Sequence, residues 1–190
     1  MTNDYSSGGE GINYIVTGLP RSGTTYMMRC IEAGGIPVAY STKRYELNKE
    51  NRWPKMKDFK GQCLKMFSCR LVRYKDVSKM CILFMCRDPV KILESNIRVR
   101  QSIPTWLATI IESLRYREYR IDLSQYETKR KECADWWEEE SISYTECQLE
   151  EMDTYEKRIR FFSLLKERGW PIDAKNAALV ENDEEYRRCL

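Results

Sequence analysis

A glycine-containing loop between a predicted strand and a predicted helix constrains the fold of this chain more than any other feature. Residues 13–18 (NYIVTG) are rich in strand formers, and residues 24–33 (TTYMMRCIEA) carry apolar side chains at helical spacing before two glycines. The segment that joins them, residues 18–25 (GLPRSGTT), is called the glycine loop and has the frame GxxxxG followed by two hydroxyl residues. Consecutive backbone N–H groups at the start of a helix can surround a phosphate. The glycine loop therefore predicts a phosphate site, and a tight turn without a ligand is the alternative.

The rest of the chain alternates short apolar runs with helical patterns. Further strands are predicted over residues 36–40, 62–68, 80–86 and 142–147. The run 80–86 (MCILFMC) is apolar throughout, as expected of a central parallel strand that is buried on both faces. Strands that alternate with helices predict an α/β domain with a mainly parallel sheet.

Three further helical segments are predicted. The first begins at Asp88-Pro89, which suit the N-cap and the first helical position, and it runs to about residue 101. The second covers about residues 104–140, with a break near residues 122–124. The third ends at the sequence GWP, residues 169–171. Its buried face is predicted to carry Tyr155, Ile159, Phe162 and Leu165.

Histidine does not occur in the 190 residues, and its absence removes several kinds of site. Ser-His-Asp hydrolases, Cys-His proteases and His-ligated zinc enzymes are excluded. A general base must therefore be Glu, Asp, Lys, Tyr or Cys. The net charge of +3 suits a small anionic ligand and gives no reason to expect nucleic-acid binding.

Cysteine usage and hydropathy predict a cytoplasmic protein of one domain. The eight cysteines form no CxxC pair, so we expect reduced, mostly buried thiols and no metal site. No apolar run approaches the ~18 residues of a membrane span, so no membrane partner is expected. Residues 1–12 are polar and contain several glycines, which predicts a flexible tail before a single domain at residues 13–190.

The glycine loop departs from the Walker A pattern of nucleotide hydrolases and kinases. A Walker A loop has lysine after its second glycine, to reach the β- and γ-phosphates, and then Ser or Thr for magnesium. Here Thr24 takes the place of that lysine, and the cation of the loop is Arg21, two residues before the glycine. This departure weakens the prediction of magnesium and ATP, and a small kinase or nucleotide hydrolase stays an alternative.

A second candidate phosphate motif follows the central predicted strand. The sequence ILFMCRDPVKILES places Arg87 at the carboxyl end of that strand, where ligands bind in open α/β sheets. Asp88 caps the next helix, and Ser95 lies seven residues further, close to two helical turns. One phosphate could bridge Arg87 and Ser95. The alternative is that Arg87 pairs with Asp88 or another nearby acid.

These two motifs resemble those of sulfotransferases that use 3′-phosphoadenosine-5′-phosphosulfate (PAPS) as the donor. GLPRSGTT is similar to the family's 5′-phosphosulfate loop, in the arginine form of the tyrosylprotein and bacterial sulfotransferases. An arginine followed eight residues later by serine is similar to the family's 3′-phosphate motif. The resemblance implies a three-layer α/β/α fold, P-loop NTPase-like, which binds PAPS and releases 3′-phosphoadenosine-5′-phosphate (PAP) without a metal. It assigns cofactor binding to Pro20, Arg21, Ser22, Gly23, Thr24, Thr25, Arg87 and Ser95.

Two weaker similarities lie toward the C-terminus. The closing sequence WPIDAKNAALVENDEEYRRCL is similar to that of bacterial members, with Tyr186 and Arg187 at the family's tyrosine-arginine pair. Arg187 is accordingly a candidate cofactor contact, and capping of the domain is the alternative. The run ISYTECQ, which begins at residue 142, resembles the family's late strand.

The chemistry of sulfuryl transfer suggests roles for further residues. Charge builds on the leaving oxygen and on the sulfuryl oxygens, so cations and N–H donors must meet it, and a base must take the acceptor's proton. Arg21 is the candidate for the leaving-group side, and Lys65, in QCLKMFS, for the sulfuryl group, although it could be a strand-end lysine. The heparan and tyrosylprotein branches use a glutamate downstream of the loop cation. That resemblance points to Glu46 and then to Glu50, which could instead be solvated loop charges.

The sequence thus predicts a PAPS-dependent sulfotransferase whose acceptor is the hydroxyl of a small molecule or a peptide. The acceptor itself and the oligomeric state are left open, because acceptor sites lie in variable loops. A binding module that keeps the glycine loop without catalysis is a further alternative. Three tryptophans could stack on adenine or on an acceptor ring, or could be core or lid residues: Trp53, Trp136 and Trp137.

Overall fold

A computed structural model describes residues 12–39, 45, 56–67, 80–92, 94–95, 123–139 and 144–181, and every structural statement below concerns these residues. They form one sheet of five strands: β1 Asn13–Gly18, β2 Val38–Ala39, β3 Cys63–Phe67, β4 Met80–Cys86 and β5 Tyr144–Gln148. The strand order is β2-β3-β1-β4-β5, and every neighbouring pair is parallel. The predicted α/β class with a parallel sheet is therefore confirmed.

The helices connect and cover these strands. They are α1 Thr24–Ala33; α2, which begins at residue 89 and includes residues 89–92 and 94–95; α3 Leu123–Glu139; α4 Tyr155–Glu167; and α5 Ala174–Ala178. Two 3₁₀ helices lie at Met56–Phe59 and Leu149–Met152. The predicted N-cap of α2 is confirmed, because Asp88 Oδ1 accepts a hydrogen bond of 2.7 Å from the N–H of Val90. Of the predicted helix at residues 104–140, the part before residue 123 lies outside the described residues.

Helices pack on both faces of the sheet, and the side-chain alternation of the central strands explains why. Tyr14 and Val16 of β1 point into a core shared with α1, α4 and α5. Ile15 of the same strand points the other way, into a core shared with α3. There the ring of Trp137 meets Phe84 of β4 edge to face, with the centroids 4.7 Å apart. Trp137 is fully buried, so it is a core residue rather than a stacking platform for a ligand.

Helix α4 buries an arginine where the sequence pattern places a tyrosine. Phe162 and Leu165 are buried as predicted, but Tyr155 is 39% exposed, so its predicted place on the buried face was wrong. Arg158, only 7% exposed, takes that place at helical spacing from Phe162. Its guanidinium donates hydrogen bonds to the backbone carbonyls of Ala178, Met152 and Asp153. These acceptors supply the polar partners that a buried cation requires.

The six described cysteines are unbridged: Cys30, Cys63, Cys86, Cys133 and Cys147 are buried, and Cys81 is partly buried. Burial raises the pKa of the Cys30 thiol to about 12, because the thiolate would lose its hydration there. Within the described ranges, no helix is both long enough and apolar enough to cross a membrane.

Candidate anion-binding site

The glycine loop lies where the topology of the sheet changes direction. From β1 the chain passes through α1 to β2, on one side of β1, whereas β4 and β5 lie on the other side. Gly18, the last residue of β1, is in register with Met85 near the end of β4. The glycine loop and Arg87 therefore lie next to each other at the carboxyl-end edge of the sheet. In open parallel sheets, ligands bind outside the carboxyl ends of the strands at such a switch point. The fold therefore brings the two predicted phosphate motifs side by side.

The start of the glycine loop is packed too closely for a side chain. A Cβ atom added at Gly18 would lie 2.4 Å from Ser22 Oγ and 2.7 Å from the backbone carbonyl oxygen of Met85. The loop therefore folds back against β4 over the space that a side chain would fill. This close approach is the physical reason for glycine at the first position of the frame GxxxxG.

The backbone of the glycine loop makes a turn immediately before α1. The N–H of Ser22 donates to the carbonyl of Leu19 at 3.2 Å, which closes a turn, and Arg21 has a positive φ of 70°. Gly23 precedes α1 with a φ of 93°, and no side chain in the described part of the structure caps this helix. The N–H groups of its first turn are therefore available to an anion, and the helix dipole favours a negative charge there.

The hydroxyl of Ser22 is buried inside the glycine loop. Ser22 is fully buried, and its Oγ has no hydrogen-bond partner among the described residues. A buried hydroxyl without a partner costs stability, and a bound ligand or ion is one of the explanations for such a group in a native protein. Ser22 is thus a candidate contact for a ligand that brings its own oxygen acceptors.

Lys65 reaches the glycine loop from the neighbouring strand. It is 8% exposed, lies within β3, and its Nζ donates a hydrogen bond of 2.8 Å to Thr25 Oγ1. The alternative of an edge or strand-end lysine is wrong, because β3 pairs with strands on both sides and Lys65 is aligned with Val16 of β1. A positive charge thus lies beside the hydroxyl that ends the loop.

Arg21 joins the glycine loop to the second motif. Its Nε and Nη2 donate hydrogen bonds of 3.0 and 2.9 Å to Ser95 Oγ, on helix α2. The predicted site had Ser95 and Arg87 sharing a phosphate; here Ser95 receives two bonds from the other arginine. Arg87 in turn donates from Nη1 to the backbone carbonyl of Arg21 at 3.0 Å, and so braces the residue with positive φ. The three predicted residues therefore form one connected group.

Glu150 contacts this group, and sequence reasoning missed it. Its Oε1 lies 3.5 Å from Arg87 Nε, and its Oε2 accepts hydrogen bonds from the N–H of Asp88 and from Gln148 Nε2. The alternative that Arg87 pairs with a nearby acid is confirmed. That acid is Glu150, which follows β5 in the chain. The sequence did contain a signal for this contact. Glu150 closely follows a predicted strand, and the carboxyl end of that strand must lie at the same edge of a parallel sheet as Arg87.

The predicted base and the C-terminal contact lie outside the described residues: Glu46, Glu50, Tyr186 and Arg187. Tyr45, which precedes Glu46, is buried, and its hydroxyl donates to the carboxylate of Glu32 in the last turn of α1. Glu32 lies eight positions after Thr24, which is about 12 Å along the axis at 1.5 Å per residue. The residue before Glu46 is therefore tied to the end of α1 away from the glycine loop.

No protein-family model, curated protein or solved structure matches this chain. In the described ranges, no group of three or more Cys, Asp or Glu side chains could hold a metal ion. Function must therefore be inferred from the chemistry of the site itself. Its parts are open amides at a helix start, a buried hydroxyl and three cations: Arg21, Lys65 and Arg87.

Proposed function

We propose that this protein is a sulfotransferase that moves a sulfuryl group from PAPS to an acceptor hydroxyl, on a three-layer P-loop NTPase-like fold. The observation that carries the proposal is the chain of contacts from the glycine loop through Arg21 to Ser95 and Arg87. PAPS carries anionic groups at its 5′ and 3′ positions, so its binding requires two adjacent anion sites. The glycine loop would hold the 5′-phosphosulfate, and Arg87 with Ser95 would hold the 3′-phosphate.

The residues of the glycine loop suit a phosphosulfate. Gly18 lets the loop pack against β4, and the uncapped amides of the first turn of α1 would bind the anion. The hydroxyl of Ser22, which has no partner among the described residues, would gain an acceptor from that anion. Arg21 and Lys65 add positive charge on two sides of the loop, where negative charge builds as the sulfur–oxygen bond to the phosphate breaks.

The reaction needs positioning and one proton transfer. When bound, PAPS supplies an activated sulfuryl group: the acceptor oxygen forms a bond to sulfur, and the bond from sulfur to the phosphate oxygen breaks. In this proposal Arg21 neutralises the departing phosphate oxygen, and Lys65 draws charge from the sulfuryl oxygens. The acceptor's proton passes to a base, for which Glu46 and Glu50 remain the predictions from sequence.

The contact of Lys65 with Thr25 favours this function over a magnesium-dependent kinase or hydrolase. Thr25 occupies the position at which Walker A loops place their magnesium-binding hydroxyl. Here an ammonium group lies 2.8 Å from that oxygen. A divalent cation on the same oxygen would be repelled by the ammonium group, so the arrangement disfavours magnesium-ATP.

Calorimetry with PAP tests the proposal. We expect micromolar binding of PAP that does not require magnesium, and much weaker binding of magnesium-ATP. Arg87→Ala should remove the preference for PAP over adenosine 5′-monophosphate, because the 3′-phosphate loses its cation. Arg160→Ala, which removes an exposed arginine of α4, is the matched control. A folded protein that fails to bind PAP at high micromolar concentration would refute the proposed function.

A further inference from the structure

Glu150 places a negative charge inside the group that is proposed to bind the 3′-phosphate. Its Oε1 lies 3.5 Å from Arg87 Nε, and its Oε2 accepts a hydrogen bond of 3.4 Å from the N–H of Asp88. A guanidinium together with a backbone amide is a common pair of donors for phosphate oxygens. The chain's own carboxylate therefore holds the donors that a phosphate would use.

The fold fixes this carboxylate at the site. Cys86 of β4 is in register with Gln148 of β5, so Arg87 and the 3₁₀ helix Leu149–Met152 leave the same edge of the sheet next to each other. Leu149 packs against the glycine loop, since a Cβ atom at Gly23 would lie 2.8 Å from Leu149 Cδ2. Because Leu149 contacts the loop, the next residue, Glu150, is held beside Arg87. Gln148 Nε2 also donates to Glu150 Oε2 at 3.2 Å.

The contact between Glu150 and Arg87 is weak enough for a ligand anion to replace the carboxylate. The side chain of Glu150 is 37% exposed, and both of its contacts at this position, at 3.4 and 3.5 Å, are longer than tight charge-assisted hydrogen bonds. Partly exposed ion pairs are weak, and a rotation about the side-chain bonds would carry the carboxylate into solvent. A phosphate near Arg87 would repel the carboxylate, so the two anions compete for one position.

We infer that Glu150 is a specificity-determining residue of the second anion site, where its carboxylate competes with the ligand's 3′-phosphate for Arg87 and the amide of Asp88. The inference rests on the proposed function, because it takes the 3′-phosphate as the competing anion. Glu150 lowers the affinity for 3′-phosphorylated nucleotides and speeds the release of PAP. A nucleotide with a 3′-hydroxyl does not displace the carboxylate, so Glu150 leaves its affinity nearly unchanged.

The test is calorimetry of Glu150→Gln with PAP and with adenosine 5′-monophosphate. Glutamine keeps an oxygen that can accept from the N–H of Asp88 but carries no charge. We expect PAP to bind about five-fold more tightly, the upper range for removal of a partly exposed charge pair, and adenosine 5′-monophosphate to change by less than about two-fold. Stopped-flow measurements should show that the tighter binding of PAP comes from slower release.

Glu151→Gln is the matched control, because it removes the same charge from the next residue of the same 3₁₀ helix. It should change the affinity for PAP by less than about two-fold. In the Arg87→Ala background, Glu150→Gln should bring a smaller gain, since only the amide of Asp88 is then contested. If the wild type binds PAP but Glu150→Gln binds it no more tightly than Glu151→Gln, the inference fails and the proposed function stands. If the wild type does not bind PAP, both fail.

Discussion

Substitution of Gly18 by alanine measures how much stability depends on the close packing of the glycine loop. The added Cβ would lie 2.4 Å from Ser22 Oγ, 2.7 Å from the carbonyl oxygen of Met85 and 3.2 Å from Met85 Cβ. Overpacking in a well-packed interior costs about 1–3 kcal/mol. Because the carbonyl belongs to a buried strand with paired strands on both sides, it cannot move cheaply, and we expect the upper part of that range, about 2–3 kcal/mol.

Urea denaturation, followed by the fluorescence of the buried Trp137 and Trp170, measures this loss. With a slope of about 2–3 kcal/mol per molar urea, the midpoint of Gly18→Ala should fall by about 1 M. Gly61→Ala is the control, because a Cβ there meets nothing within 4 Å and only the positive φ of 73° is strained, at about 1 kcal/mol. Adding Ser22→Ala to Gly18→Ala should restore only part of the loss, since the contact with Met85 remains. A midpoint within about 0.3 M of the wild type, about a third of the shift expected from overpacking, would refute the reasoning.

Three further variants follow from the described contacts. Ser22→Ala removes a buried hydroxyl without a described partner, so the urea midpoint should stay the same or rise while the affinity for PAP falls about five-fold; a lower midpoint would contradict this. Arg158→Met removes a donor from three backbone carbonyls, two of them in buried hydrogen bonds, and should cost about 2–4 kcal/mol by the same assay; a cost below about 1 kcal/mol would show that water replaces the guanidinium. The pKa of Cys30 rises from 9.0 to about 12 in the folded protein, so its contribution to stability is complete below pH 9 and is lost as the pH rises toward 12. Between pH 8.5 and 10.5 the midpoint should therefore fall, and Cys30→Ala should fall less steeply; equal slopes would exclude Cys30 as a cause.

The strands were the most predictable part of the fold. The limits of β1 and β4 agree with the predicted residues 13–18 and 80–86. β4 is a continuous apolar run, as expected of a strand buried on both faces, whereas β1 is marked by its strand formers and by the glycine loop that follows it. The edge strand β5 was predicted in place, and its first described residue is Tyr144. The start of α2 at Asp-Pro was equally predictable from the sequence, since a helix start depends on adjacent residues.

The pairing of charged side chains was the least predictable part of the site. Helical spacing marks positions 155, 158, 162 and 165 as one face, but hydropathy assigns an arginine at 158 to solvent. The carbonyls of Asp153 and Met152 lie five and six residues before this arginine, and the tertiary structure adds the carbonyl of Ala178. Likewise, the sequence pattern predicts that Arg87 lies at the site. The hydrogen bonds from Arg21 to Ser95 depend instead on how the glycine loop packs against α2.

The shape of the glycine loop depends on residues that the ribosome adds much later. Arg87 braces the carbonyl of Arg21 across 66 residues of chain, and Ser95 receives the side chain of Arg21 across 74. Leu149, which packs on Gly23, follows later still. A growing chain in which β1 and α1 are complete therefore contains the glycine loop but lacks the contacts that fix the loop's shape. A nucleotide would stabilise only the finished domain, by about 2.7 kcal/mol at a hundred times its dissociation constant, and would favour the complete protein over its truncated forms.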